Sequence, residues 1–281
     1  MVKSKFLFKI YYIGKKKYFG SQKQREFLTI EHCFSDALEE KNYINDSKNS
    51  QFEFASRTDR FVSARGACFT CIIEKEAILM EINSILPEEM GIWAYSKVPL
   101  DFSSRYNAKL RHYLYIVPTP LSYLKKKAMI NLTIMEKACR KLQGQHDFVN
   151  FSKNEKKDVN TIRDMDYVNL SVVNDYLVFN FKSKAFLRQQ VRRMVKKLLE
   201  LGRNEISYNK FIDLFDNSKI VSYQPADPKG LILWNIVFDD NIKFIEDPKS
   251  KERMYKFFQK EELNFGHKHQ LFRTLQQDYS S

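Results

Sequence analysis

"FASRTDRFVSARG", residues 54–66, is the stretch on which the reading of this chain turns. Residues 51–56 before its centre alternate apolar and polar, and residues 66–74, ending in "ACFTCIIE", form a second strand-like run. Two successive strands are commonly joined by Asn-Gly, Asp-Gly or Gly-Gly. This connection instead holds Arg57, Thr58, Asp59, Arg60 and Phe61, and reaches no glycine before Gly66. Two arginines around a carboxylate and an aromatic ring exceed what a turn requires. Loops carried on a rigid scaffold are where catalytic and binding groups gather.

Working outward, the pattern predicts a strand at 4–12, a basic loop "GKKKYFGSQKQR", and a helix at 29–41 with Thr29 as its cap. Residues 75–86 read as helical, 91–98 and 109–117 as strands, and 133–143 as a helix ended by Gly144. Strands follow at 163–172 and 176–183, then a helix at 185–201 ended by Gly202. A short helix at 207–216 and a strand at 231–238 complete the series. The order strand, helix, strand, strand, helix, strand runs once before about residue 108 and recurs with variations after it. This predicts an α+β protein of two pseudo-symmetric α/β-type lobes with mostly antiparallel sheets, not a doubly wound parallel sheet. The expected divisions are residues 1–108, 109–248, and a charged helix and frayed tail at 249–281, helical near 249–262.

The 281 residues suffice for a large core, and an apolar fraction of 43% with 23 Phe and 15 Tyr excludes wholesale disorder. The formal net charge of +13 points to a polyanionic partner, with nucleic acid the leading candidate. A proteome rich in Lys, Asn, Ile and Phe accounts for the same charge without one. No run reaches the roughly 18 apolar residues of a membrane span. "MVKSKFLFKIYYIG" alternates like a strand and lacks a signal-peptide core, so a cytoplasmic protein without membrane contact is expected.

Four cysteines do not form a disulfide framework in a chain this long. Cys68 and Cys71 make a C-x-x-C, but on a strand residues three apart point to opposite faces, and no second pair exists. No metal site is expected there. His267 and His269 lack a third candidate ligand nearby. From Lys182 to Arg203 there are eight basic residues and one acid, Glu200. Within the expected helix, Leu187, Val191, Met194, Val195 and Leu198 form one stripe, and Arg188, Arg192 and Lys196 recur at four-residue spacing on another. A solvated cationic face explains most of these. Tolerated repulsion at that spacing also suits phosphate contacts, or a carboxylate partner for one arginine.

Across nearly its whole length the chain resembles the TruA family of tRNA pseudouridine synthases. The family signature, close to G-R-T-D-A-G-V-H-A, stands here as Ser56-Arg57-Thr58-Asp59-Arg60-Phe61-Val62-Ser63-Ala64. "YIGKKKYFGSQKQ" resembles the family's Y-D-G-x-x-Y-x-G-x-Q loop, and "RHYLY" falls on its R-x-Y-x-Y strand. "LQGQHDFVNFSK" resembles G-x-H-D-F-x-x-F, "KAFLRQQVRRMVKKLLELG" resembles F-L-x-x-M-V-R-x-I-V, and "PADPKGLILWNIVF" resembles A-P-x-x-G-L-x-L. Matches in this order are far more specific than any one of them.

The resemblance implies the pseudouridine synthase fold with a basic active-site cleft between the lobes. It implies isomerisation of uridine to pseudouridine in the anticodon stem-loop of tRNA, at family positions 38, 39 and 40, by base flipping. No cofactor and no metal are implied, and a homodimer with tRNA as partner is. Asp59 falls at the catalytic aspartate, Tyr113 at the active-site tyrosine and Arg192 at the arginine that pairs with the aspartate. Arg57 falls at the signature arginine that occupies the space of the flipped base. Leu231 and Leu233 fall on the strand near the pocket. Arg60, Arg188 and Lys196 are expected to bind substrate. Ile13 stands where Asp is usual, Ser21 for Trp, Ser56 for Gly, Arg60-Phe61 for Ala-Gly, Ser63 for His and Gln190 for Met. A bulky residue at 61 conflicts with a positive φ there.

Overall fold

The computed structural model describes residues 3–127, 129–153 and 159–277. Its centre is one sheet, in the order β10-β4-β1-β3-β9-β5-β8-β7-β6. The strands are β1 (Ser4–Tyr12), β2 (Glu53–Phe54), β3 (Ser63–Ile73), β4 (Met90–Val98), β5 (Leu110–Ile116), β6 (Gly144–Asp147), β7 (Ile162–Val173), β8 (Tyr176–Ser183), β9 (Leu231–Val237) and β10 (Ile245–Glu246). The short β2 lies off this path and pairs with β3. Every pairing is antiparallel except that of β3 with β9. The helices are α1 (Ile30–Glu40), α2 (Leu79–Asn83), α3 (Leu121–Lys127), α4 (Leu132–Lys141), α5 (Gln190–Gly202), α6 (Tyr208–Ile212) and α7 (Pro248–Leu275). This is the mixed α+β, mostly antiparallel architecture expected. The strands of the two halves of the chain share a single sheet, because β9 lies between β3 and β5.

The strand period of two divides the packing. Along β1, Ile10 and Tyr12 enter the main core with Phe34 and Leu38 of α1 and Phe69 of β3. Tyr11 points the other way, onto a smaller core with Trp93, Met254 and Phe257. The register sets Phe8 opposite Phe69 on one side and Tyr95 on the other. Each fully buried Phe in this stack contributes about 2–3 kcal/mol. Thr29 caps α1 as expected, accepting from the His32 N–H. Arg253 docks α7 by donating to the carbonyls of Met90, Leu86 and Pro87.

Several boundaries differ from the sequence expectation. The helix expected at 185–201 begins at Gln190, because Gln189 has a left-handed φ of 60° and Gln190 Oε1 accepts the Leu187 N–H. Arg188 therefore lies before the helix, not on its cationic stripe. Gly202 is the last helical residue, and Gly144 leaves α4 at φ 84° but also starts β6. The helix expected at 75–86 forms only over α2, with Pro87 beyond it. Neither β6 nor β10 was expected. Both are short and close the two ends of the sheet, where pairing along one edge leaves little apolar pattern. Helix α3 was also missed. Helix α7 runs well past residue 262, and part of the expected frayed end, 278–281, lies outside the described residues. No helix among the described residues is long and apolar enough to cross a membrane.

Candidate active site

The parallel pairing of β3 with β9 is brief, with Ser63 opposite Ile232 and Ala64 opposite Leu233. The loop carrying Asp59 enters β3 at this seam. On the next strand, Tyr113 of β5 lies opposite Leu233 of β9 and Phe181 of β8. The fold thus brings residues from opposite halves of the chain to one place.

The loop is pinned on its N-terminal side. Ser21 Oγ accepts the Thr58 N–H at 2.8 Å, and the Ser21 N–H donates back to the Thr58 carbonyl at 3.1 Å. The Tyr12 and Thr58 hydroxyls are bonded at 2.8 Å. Gly20 has φ 90°, and a Cβ there would sit 2.9 Å from the Thr58 carbonyl oxygen, so only glycine fits. The Asp59 carbonyl accepts the Val62 N–H, closing a turn with Phe61 at φ 69°. The backbone keeps the left-handed conformation although Phe61 replaces glycine. The Arg60 guanidinium packs over Phe19 at 3.8 Å and Phe61 at 4.9 Å, and donates to the Lys16 carbonyl. It is turned toward the N-terminal loop. Arg57 is exposed, and none of the hydrogen bonds or ion pairs among the described residues holds it.

Arg192 reaches the loop from the first turn of α5. Its Nη1 donates to Asp59 Oδ2 at 2.6 Å, across 133 residues of sequence. Its Nε donates to the Ala226 carbonyl, and the Ala226 N–H returns a bond to the Arg192 carbonyl. The fork is therefore divided between a carboxylate and a carbonyl, instead of meeting Asp59 with two prongs. Among the described residues no hydrogen bond holds Asp59 Oδ1. The Arg192 side chain is 10% exposed and that of Asp59 34%, so the carboxylate is anchored through one oxygen and open through the other.

Tyr113 is buried, with its ring edge-on to Phe186 at 5.1 Å. Burial raises its pKa above the usual phenol value; the Ser56 hydrogen bond and the Arg111 charge act in the opposite direction, and Asp59 adds to the rise. Leu231 and Leu233 are buried on β9. Arg188 is exposed in the segment before α5. Lys196 pairs with Glu200, which also holds Lys197. Cys68 and Cys71 are fully buried on β3, and burial pushes both thiols up, away from the thiolate that metal binding or redox exchange requires.

Three serines at positions where the family pattern has other residues all bond within this region. Ser21 holds Thr58, Ser63 Oγ accepts the Gly14 N–H at 3.1 Å, and Ser56 lies between Arg111 and Tyr113. Arg111 stands first in the R-x-Y-x-Y match, but the sequence reading gave it no role. Its signal was a charged residue at an inward position of an alternating strand, sharing the face of Tyr113 and Tyr115. Nor did that reading find Tyr12, whose hydroxyl anchors the loop.

The family described as tRNA pseudouridine synthase matches residues 138–239, a span that includes Arg192, Leu231 and Leu233. Proteins named tRNA pseudouridine synthase A are similar over most of the chain. That of Methanothermobacter thermautotrophicus is 31% identical over 257 residues, covering 92% of this chain and 90% of its own length. That of Methanosphaera stadtmanae is 32% identical over 256 residues, with 90% of each chain covered. That of Pyrococcus furiosus is 32% identical over 251 residues, with 87% of each covered.

Proposed function

The chain belongs to the tRNA pseudouridine synthase A family, an isomerase family, and from that premise we propose that it isomerises uridines of the anticodon stem-loop of tRNA, at positions 38, 39 and 40, with Asp59, Tyr113 and Arg192 as the reacting centre. The observation that carries this reading is the 2.6 Å contact between Arg192 and Asp59, made beside Tyr113 at the seam of the sheet.

The reaction breaks the N1–C1′ bond of uridine, turns the uracil, forms C5–C1′, and moves the C5 proton to nitrogen. Atoms balance without oxidant or co-substrate. Asp59 acts on the ribose, as nucleophile or as base, and both routes need an ionised carboxylate. Arg192 holds the carboxylate through Oδ2 and aims it, leaving Oδ1 to react. Tyr113 lies against the uracil, with Leu231 and Leu233 behind it on β9. The base must leave its stack, at a cost of a few kcal/mol. Exposed Arg57 offsets part of this by filling the vacated space. Arg188 and Lys196 contact phosphate, and Arg60 supports the loop from the side of Phe19. In this reading residues 1–108 supply Asp59, residues 109–248 supply Tyr113 and Arg192, and residues 249–281, whose described part is mostly α7, supply no reacting group. The enzyme acts in the cytoplasm as a homodimer.

The test is pseudouridine formation in a tRNA transcript incubated with the purified protein, mapped to single nucleotides. Product within positions 38–40 supports the proposal. Product only elsewhere corrects the substrate site, and no product in any tRNA overturns the activity.

A further inference from the structure

Arg111 is 7% exposed, yet its acceptors are all neutral. Nε donates to Ser56 Oγ at 3.1 Å, Nη2 to the carbonyls of Ala55 at 2.7 Å and Arg105 at 2.8 Å, and Nη1 to the carbonyl of Lys184. No carboxylate is among these partners. A buried guanidinium so placed keeps its positive charge, because arginine does not lose its proton in proteins. One bond away, Ser56 Oγ lies 3.3 Å from the Tyr113 hydroxyl.

Either hydroxyl of the Ser56–Tyr113 pair could donate, and the charge behind Ser56 favours one direction. Arginine can only donate, so Ser56 Oγ accepts from Arg111. With the cation behind it, the serine O–H dipole is most favourable pointing away from the guanidinium, toward the Tyr113 oxygen. A phenolic oxygen that accepts from Ser56 keeps its own hydrogen for another acceptor. Glycine, usual at position 56 in the family pattern, has no hydroxyl and forms no such bridge.

We propose that Arg111 and Ser56 form a donor chain that fixes the Tyr113 hydroxyl as a hydrogen-bond donor to the uracil, with Ser56 as a positioning residue. The inference rests on the reading of Tyr113 as an active-site residue. As the N1–C1′ bond breaks, its electron pair stays on the uracil, and negative charge spreads over N1 and the ring oxygens. A donor backed by a buried cation favours that charge more than it favours neutral uridine, so it lowers the barrier instead of merely tightening binding. Arg192 is matched by Asp59, and so Arg111 supplies the surplus positive charge. No proton is transferred along the chain; the three hydrogens only keep their directions.

The experiment measures single-turnover rates and tRNA dissociation constants for the wild type and for Ser56→Ala, Ser56→Gly and Ser56→Thr. Thermal unfolding of each variant checks that it folds. The removal of one hydroxyl should slow Ser56→Ala and Ser56→Gly by about 3- to 10-fold at saturation. Their dissociation constants should stay within about two-fold, a split that loss of packing alone does not give. Ser56→Thr keeps the hydroxyl and should recover most of the rate. The donor chain is overturned if the Ala and Gly variants turn over at the wild-type rate, if they lose only affinity, or if Thr fails to recover the rate while folded. If the wild type forms no pseudouridine, the activity fails first, an outcome distinct from any of these.

Discussion

Arg192 at the start of α5 and Arg111 on β5 are both buried arginines beside the same loop, 8% and 7% exposed. They solve the burial of a cation in opposite ways. Arg192 meets a carboxylate, so its charge is matched and its geometry bears on Asp59. Arg111 meets three carbonyls and a hydroxyl drawn from the Asp59 loop, the connection between β4 and β5 and the residue after β8. The first pairing holds the carboxylate proposed to react; the second ties together the backbones around it. Removal of Arg192 should therefore appear mainly in turnover, and removal of Arg111 in stability as well as in turnover.

The largest effect that would sharpen this contrast is on Arg192. Arg192→Ala should lower the saturated single-turnover rate by about 100-fold, with tRNA affinity within a few-fold. Arg192→Lys should recover only part, since an ammonium cannot serve Asp59 and the Ala226 carbonyl with a planar fork. A variant that loses affinity but keeps its rate would make Arg192 a phosphate contact. Next comes Arg111→Lys, which leaves buried carbonyls without donors and should cost about 2–4 kcal/mol in urea unfolding. Arg192→Lys should cost clearly less by the same measurement. Equal losses would erase the distinction between the two sites.

The smallest effect concerns the loop they both hold. Phe61 sits at φ 69° with its ring against Arg60 and within 5.7 Å of Lys229. Phe61→Ala loses the ring and keeps the unfavourable φ, whereas Phe61→Gly loses the ring and removes that penalty. The glycine variant should be the more stable of the two by about 0.5–1 kcal/mol in urea unfolding. The reverse order would mean that the turn is not left-handed in solution.

What could be read from the sequence divides along the same line. The Asp59–Arg192 pair was legible through the resemblance, which set each residue in a matched motif, while the charge pattern alone left phosphate or an unnamed carboxylate open. The strand β1, the Thr29 cap and the antiparallel character followed from local periodicity. Arg111 was visible as part of the R-x-Y-x-Y match, but its role was not, because its partners are mostly carbonyls and no residue type marks where the backbones at 55, 105 and 184 converge. The later start of α5 was hidden for a similar reason: a left-handed glutamine at 189 is not a sequence pattern. The turn of Arg60 away toward Phe19 depends on the path of a loop some 40 residues earlier. The three serines read as departures from the family pattern, while their bonds to Thr58, Gly14, Arg111 and Tyr113 are long-range and visible only in the fold.

The central claim is that Asp59, held by Arg192, is the group that reacts. Asp59→Asn tests it most directly, since the amide is nearly the same size but cannot act as an ionised nucleophile or base. Tritium release from tRNA labelled at uridine C5 is measured under single-turnover conditions, beside the dissociation constant for the same tRNA. No detectable release is expected, with affinity within a few-fold of the wild type. Release at more than about a tenth of the wild-type rate would contradict it, because no group of comparable basicity would remain in Asp59's place.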